Sequence, residues 1–73
     1  MENELKIGIV GGSGFVGSSI ARHLSKRFKV KVIDPKKPNI RLNRNVEYVA
    51  CDIRNYGELK NATADLDLVI NTA

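Results

Sequence analysis

The 73-residue chain predicts an α/β fold built on a parallel sheet, and three observations predict it. An apolar run, Leu5 to Val10, ends in a cluster of glycines; that cluster opens an amphipathic helix; a second apolar run, Val30 to Asp34, then closes on an acid. Two strands joined through a helix pair in parallel, because a crossover of this length carries the chain back to the same end of the sheet.

Taken in order, Leu5 to Val10 is interrupted only by Lys6 and Gly8, as expected of a strand covered on both faces. After the glycines, Val16, Ile20, Leu24 and Phe28 recur at four-residue spacing with Gly17 and Ala21 beside them, which predicts one apolar stripe facing the sheet. Arg22, Lys26 and Arg27 gather near the helix end, where cations complement the carbonyl dipoles. Pro35 to Asn45 is polar and basic and reads as a loop with room for one short turn. Val46 to Cys51 is a third strand. Asn55 or Asp52 caps a short helix running to about Ala62, with Leu59 and Ala62 on its inner face. Asp67 to Ala73 is a fourth strand, with Leu68, Val69 and Ile70 as its buried centre. The predicted layout is β-α-β-β-α-β with right-handed crossovers and strand order 3-2-1-4, a Rossmann-type arrangement.

The loop Gly11-Gly12-Ser13-Gly14-Phe15-Val16-Gly17 carries the chemistry. Glycines let a backbone turn tightly and approach a pyrophosphate, and the first N–H groups of the following helix point at the anion along the favourable end of its dipole. Two registers fit: Gly12, Gly14 and Gly17 as G-x-G-x-x-G, or Gly11, Gly14 and Gly17 as G-x-x-G-x-x-G. Such a loop is informative when a strand precedes it, a helix follows it and an acid answers roughly 20 residues on. Asp34 is that acid, placed to accept hydrogen bonds from the ribose hydroxyls of an adenosine. These residues predict a dinucleotide site, with NAD favoured over NADP because a carboxylate at Asp34 repels a 2′-phosphate. Lys36, Lys37 or Arg41 would favour NADP instead.

Four stretches in succession, Val10 to Gly17, Asp34, Cys51-Asp52-Ile53-Arg54 and Asp67 to Ala73, resemble landmarks of the extended short-chain dehydrogenase/reductase family, which includes NAD-dependent nucleotide-sugar epimerases and dehydratases. The resemblance spans essentially the whole chain. It implies that Asp52 contacts the adenine amine, that the Ile53 backbone faces the ring, and that Thr72 and Ala73 pass beneath the cofactor ribose and phosphates. The family commonly has Thr before its first glycine where this chain has Val10, a residue more usual in its atypical members. The family's Ser, Tyr and Lys catalytic set follows the fourth strand. The expectation is therefore that residues 1–73 form an N-terminal NAD-binding half-domain, truncated before the catalytic and substrate regions, with no catalytic residue of its own. Tyr56 and Lys60 reproduce the family's Tyr-x-x-x-Lys spacing, but directly after Asp52-Ile53 they fall at the adenine end and read as a surface helix pair.

Composition bounds the remaining readings. A 42% hydrophobic share and a net charge of +4 belong to a folded domain. A chain this short forms one small domain at most and buries only about 60% of its unfolded surface. Two helices on a four-stranded sheet leave an edge thinly covered, which invites self-association. Nine cations lie between Arg22 and Arg44 against the single acid Asp34, but without interleaved aromatics they read as a solvated helix face and strand, and nucleic acid is disfavoured as a partner. His23 has no partner at catalytic spacing. The lone Cys51 reads as a small buried hydrophobe, forms no metal cluster, and fits a reducing cytoplasm. No run approaches the length of a membrane span. The favoured function is the NAD-binding segment of a nucleotide-sugar epimerase, dehydratase or reductase, held to the rest of a longer protein. An atypical, non-catalytic sensing or assembly protein is the alternative, and a basic nucleic-acid module the third.

Overall fold

The computed structural model describes residues 5–38 and 44–73. Six elements alternate as predicted: β1 (Lys6–Val10), α1 (Phe15–Leu24), β2 (Lys29–Asp34), β3 (Val46–Ala50), α2 (Tyr56–Thr63) and β4 (Leu68–Asn71). The strands form one parallel sheet in the order β3-β2-β1-β4. Part of the expected loop, residues 39–43 with Arg41, lies outside the described residues.

Alternation along the central strands divides the core into two layers. Ile9, Val30 and Val32 meet Ala21 of α1, with Ile20, Leu24, Val46 and Tyr48 packed around them. On the other face Val10 and Ile33 meet Cys51 and Ala62, with Val49, Leu59 and Leu66 beside them. Ile9, Val32 and Ile33 are fully buried. Each contributes about 2–3 kcal/mol by leaving water. Cys51 is the buried small hydrophobe expected, and His23 is exposed.

Four expectations are corrected. The stripe on α1 is Gly17, Ala21 and the half-buried Ile20 and Leu24, while Val16 stays 60% exposed. Four-residue spacing overshoots a helical turn by about 40°, so Val16 and Phe28 cannot share one face. The helix stops at Leu24, and Phe28 follows a turn that Ser25, Arg27 and Phe28 N–H groups close on Ala21 and Leu24 carbonyls. Leu68 and Val69 are exposed, so β4 has no buried centre. It is an edge strand with β1 on one side and no other strand pairing its outer edge among the described residues. Lys31, read as solvated, is only 8% exposed. Its Nζ donates to Ala62 O at the end of α2 (2.9 Å) and pairs with Asp65 at 2.7 Å. Asp65 also holds Lys6, whose backbone N–H donates to Asp67, so the start of the sheet is tied together by its own charges.

Candidate functional site

At the opposite end of the sheet the chain leaves β1 through Gly11, whose φ of +82° is the left-handed conformation that favours glycine. Its N–H donates to Ile33 O (2.9 Å) and its carbonyl accepts from Gly14 N–H (3.1 Å), closing a tight turn. That conformation calls for glycine at the first position of the G-x-x-G-x-x-G register. Gly12 is buried, and a Cβ there would stand 2.8 Å from Val32. A Cβ on Gly17 would collide with Gly11 O and come within 2.8 Å of Gly12 Cα. These three glycines are required by the chain's own packing.

Gly14 differs. Its backbone is ordinary extended (φ −74°, ψ 174°), and a Cβ there would meet nothing nearer than Gly11 O at 3.4 Å. It caps α1 without a side chain, no acid stands in the first turn, and the first bond into the helix runs from Ser18 N–H to Gly14 O. A helix start in this condition presents unmatched N–H donors and the positive end of its dipole. Phe15 and Val16 lie exposed on that first turn.

Asp34, at the end of β2, is latched to the same loop. Its carboxylate accepts from Ser13 N–H (3.2 Å) and Lys36 N–H (2.9 Å), and the Ser13 hydroxyl donates to Lys36 O. The half-buried carboxylate therefore has a fixed orientation while keeping lone pairs for further donors. Beyond β3, Asp52 holds the Arg54 guanidinium through both carboxylate oxygens (3.1 and 2.9 Å) and accepts from Arg54 N–H. Those bonds pull its carboxyl down to about 2. The alternatives for the α2 cap resolve to Asn55, whose side chain accepts from Glu58 N–H. After β4, Thr72 returns to the turn, its hydroxyl lying 2.9 Å from Val10 O and 3.1 Å from Gly11 O.

Gly11, Gly14, Asp34, Asp52, Ile53, Thr72 and Ala73 thus border one cleft of about 550 Å³, together with Pro35 and Arg54. Gly12 and Gly17 lie buried behind it, and Ser13 works through Asp34. Sequence spacing alone gives Arg54 no role in binding; the signal that it belongs here is its position two residues after Asp52, which suits a bidentate pair. Tyr56 and Lys60 are exposed on α2 and do not border the cleft. Of the basic stretch, Arg22, Lys26, Arg27, Lys29, Lys36, Lys37 and Arg44 are exposed. Among the described residues no cluster of His, Cys, Asp and Glu could hold a metal, and no helix is long and apolar enough to cross a membrane.

The cleft lies at the carboxyl ends of the strands, in the order β3-β2-β1-β4, with α1 leading from β1 to β2 on one side and α2 crossing from β3 to β4 on the other side of β1. Open α/β sheets bind ligands at such a switch point. Solved structures share this architecture. A short-chain dehydrogenase from Leptospira borgpetersenii with bound NAD+ is 29% identical, with a TM-score of 0.77 over 96% of this chain and 31% of its own. An oxidoreductase from Lactococcus lactis is 28% identical, with a TM-score of 0.82 over 94% of this chain and 32% of its own. A UDP-N-acetylglucosamine 4-epimerase from Methanobrevibacter ruminantium, in complex with UDP-N-acetylmuramic acid, is 26% identical, with a TM-score of 0.80 over 100% of this chain and 25% of its own. The chain therefore spans between a quarter and a third of the length of these proteins. No curated protein matches it significantly. The model of the 3-beta hydroxysteroid dehydrogenase/isomerase family matches residues 8–73, from the middle of β1 through the glycine turn to Ala73. The chain belongs to that family, among the epimerase- and dehydratase-like short-chain dehydrogenases whose landmarks its sequence carries.

Proposed function

We propose that this chain is the N-terminal dinucleotide-binding half-domain of a longer NAD-dependent enzyme and that its cleft takes the ADP half of the cofactor. The observation that carries the reading is Gly14. Neither backbone conformation nor internal packing requires glycine there, yet its missing side chain keeps clear the space between the uncapped start of α1 and the cleft. A pyrophosphate needs that close approach and those N–H donors.

The other residues fit the same group. Asp34, oriented by Ser13 and Lys36, accepts from the two ribose hydroxyls and disfavours a 2′-phosphate, which makes NAD the cofactor. Asp52 and the Ile53 backbone take the adenine, while Thr72 and Ala73 form the floor beneath ribose and phosphates. Phe15 and Val16 stand exposed on the first turn, beside the path of the cofactor. Bound NAD supplies a hydride acceptor. The residues of this chain bind and orient it; the proton-transfer groups come from the remainder of the longer protein. Its substrate in this reading is a nucleotide-sugar with a secondary alcohol to oxidise, and the 73-residue chain alone has no turnover.

Gly14→Ser tests the reading. Serine is a good helix cap and its Cβ fits the chain, so thermal stability should hold or rise slightly. NAD affinity, followed by calorimetry or amide shifts, should fall by at least roughly tenfold because the side chain enters the anion's space, equivalent to about 1.4 kcal/mol. A wild-type chain showing no shifts around Gly11 to Gly17 at millimolar NAD would sink the cofactor assignment.

A further inference from the structure

Thr72 touches the glycine turn through more atoms than its place in the cleft requires. Its N–H donates to Val10 O at 2.8 Å, and its hydroxyl lies between Val10 O and Gly11 O. Two glycines leave the room for that hydroxyl: a Cβ on Gly11 would come within 2.9 Å of Thr72 Oγ1, and a Cβ on Gly17 within 2.8 Å. The niche thus has glycine on two sides and carbonyl oxygens at its base. Gly11 O, one of those carbonyls, also accepts from Gly14 N–H, the residue that starts α1.

We propose that Thr72 is a positioning residue, whose single hydroxyl proton, shared between Val10 O (2.9 Å) and Gly11 O (3.1 Å), holds the two carbonyls that lead into the turn and, through Gly11 O, the aim of the N–H groups at the start of α1. This inference rests on the cofactor reading above and adds the holding of the turn to the place of Thr72 in the floor of the cleft. The chemistry is specific to a hydroxyl. An oxygen donor is comfortable at 2.9–3.1 Å from a carbonyl, whereas a methyl carbon needs about 3.3–3.6 Å. Thr72→Val therefore removes a hydrogen bond and pushes a methyl group against Gly11 O, displacing Gly14 N–H with it. Because Thr72 is 61 residues from Gly11, the contact couples the end of β4 to the first turn of the fold.

The experiment compares Thr72→Val, Thr72→Ser and Thr72→Ala in the full 73-residue chain, with NAD as the probe. Thr72→Val should shift the Gly11 and Gly14 amide resonances without ligand and weaken NAD binding roughly tenfold, the scale of one hydrogen bond lost from the turn. Thr72→Ser, which keeps the hydroxyl, should restore both. If Thr72→Val does not fold, Thr72→Ala removes the hydroxyl without adding bulk and must show the same weakened binding. Wild-type affinity in the Val or Ala variant, or failure of Ser to rescue, overturns the role of Thr72 and leaves the cofactor reading intact. A wild-type chain that does not bind NAD overturns the cofactor reading itself; the ligand-free shifts then decide the turn, and unchanged Gly11 and Gly14 resonances in Thr72→Val reject it.

Discussion

At the start of α2 the chain meets its own hydrogen-bonding needs. Asn55 Oδ1 accepts from Glu58 N–H, Glu58 reaches back to Asn55 Nδ2 and Asp52 N–H, and its charge answers the helix dipole. The other end of α2 is closed as well, by Lys31 Nζ on Ala62 O. At the start of α1 there is no capping side chain and no acid, and the capping position is a glycine whose Cβ would meet only Gly11 O, at an ordinary 3.4 Å. Both helices pack on the same sheet, but α1 is held by burying Gly17 and Ala21 rather than by a cap. A helix start that supplies its own acceptors is a structural joint, and one that withholds them leaves donors for an anion.

Several substitutions act on this contrast. Gly17→Ala should have the largest effect, because its Cβ strikes the backbone at Gly11 and Gly12 and the hydroxyl of Thr72 together. Backbone cannot yield as a flexible side chain does, so a loss of about 3 kcal/mol is expected in urea unfolding, against a smaller effect at the open Gly14. Asp65→Asn should come next by weakening the closed end of α2: the buried Lys31 ammonium keeps only neutral acceptors and loses its counter-charge. Hydrogen bonds from Lys31, then Lys6, hold the Asp65 carboxyl well below its ordinary 3.8. A depressed pKa contributes stability that is fully present above the unfolded value and is lost as pH falls through the folded one. The gap in melting temperature between wild type and Asp65→Asn should accordingly be full at neutral pH and narrow progressively below about pH 4.

Asn55→Ala should cost about 1 kcal/mol, the worth of a helix cap, and leave NAD affinity unchanged. Equal loss of affinity would mean that the two helix starts are not functionally distinct. Val16→Glu makes α1 resemble α2 by placing an acid in its first turn. Since Val16 is 60% exposed, little packing is lost, and a stability gain of about 0.5 kcal/mol is expected from the dipole. The same charge should repel the pyrophosphate, so a variant that is slightly more stable should bind NAD more weakly by calorimetry.

Much of the architecture was legible along the chain. Six elements, Asn55 as a possible cap and the buried Cys51 follow from period, cap and turn chemistry within a dozen residues, and the strand order follows from the handedness of the crossovers. The phase of α1 was less legible, because four-residue spacing in Val16, Ile20 and Leu24 suits a stripe that drifts around the helix. Burial in β4 was not legible at all: Leu68-Val69-Ile70 has the apolar pattern of a covered strand, and only its place at the sheet edge leaves it exposed. Lys31 alternates like a solvated residue, and what buries it is Asp65 and the end of α2, more than thirty positions away.

The candidate site divides in the same way. Local sequence specified a strand, a glycine-rich turn, a helix and an answering acid, since each depends on residues near in the chain and on backbone preferences they carry with them. Which glycines the packing itself requires was decided by contacts between distant segments. Gly11 and Gly17 yield space to Thr72, Gly12 to Val32, and Gly14 to no side chain of its own fold. In sequence these four are chemically identical, and they become different only when β2 and the end of β4 are brought against the turn by parallel pairing with β1.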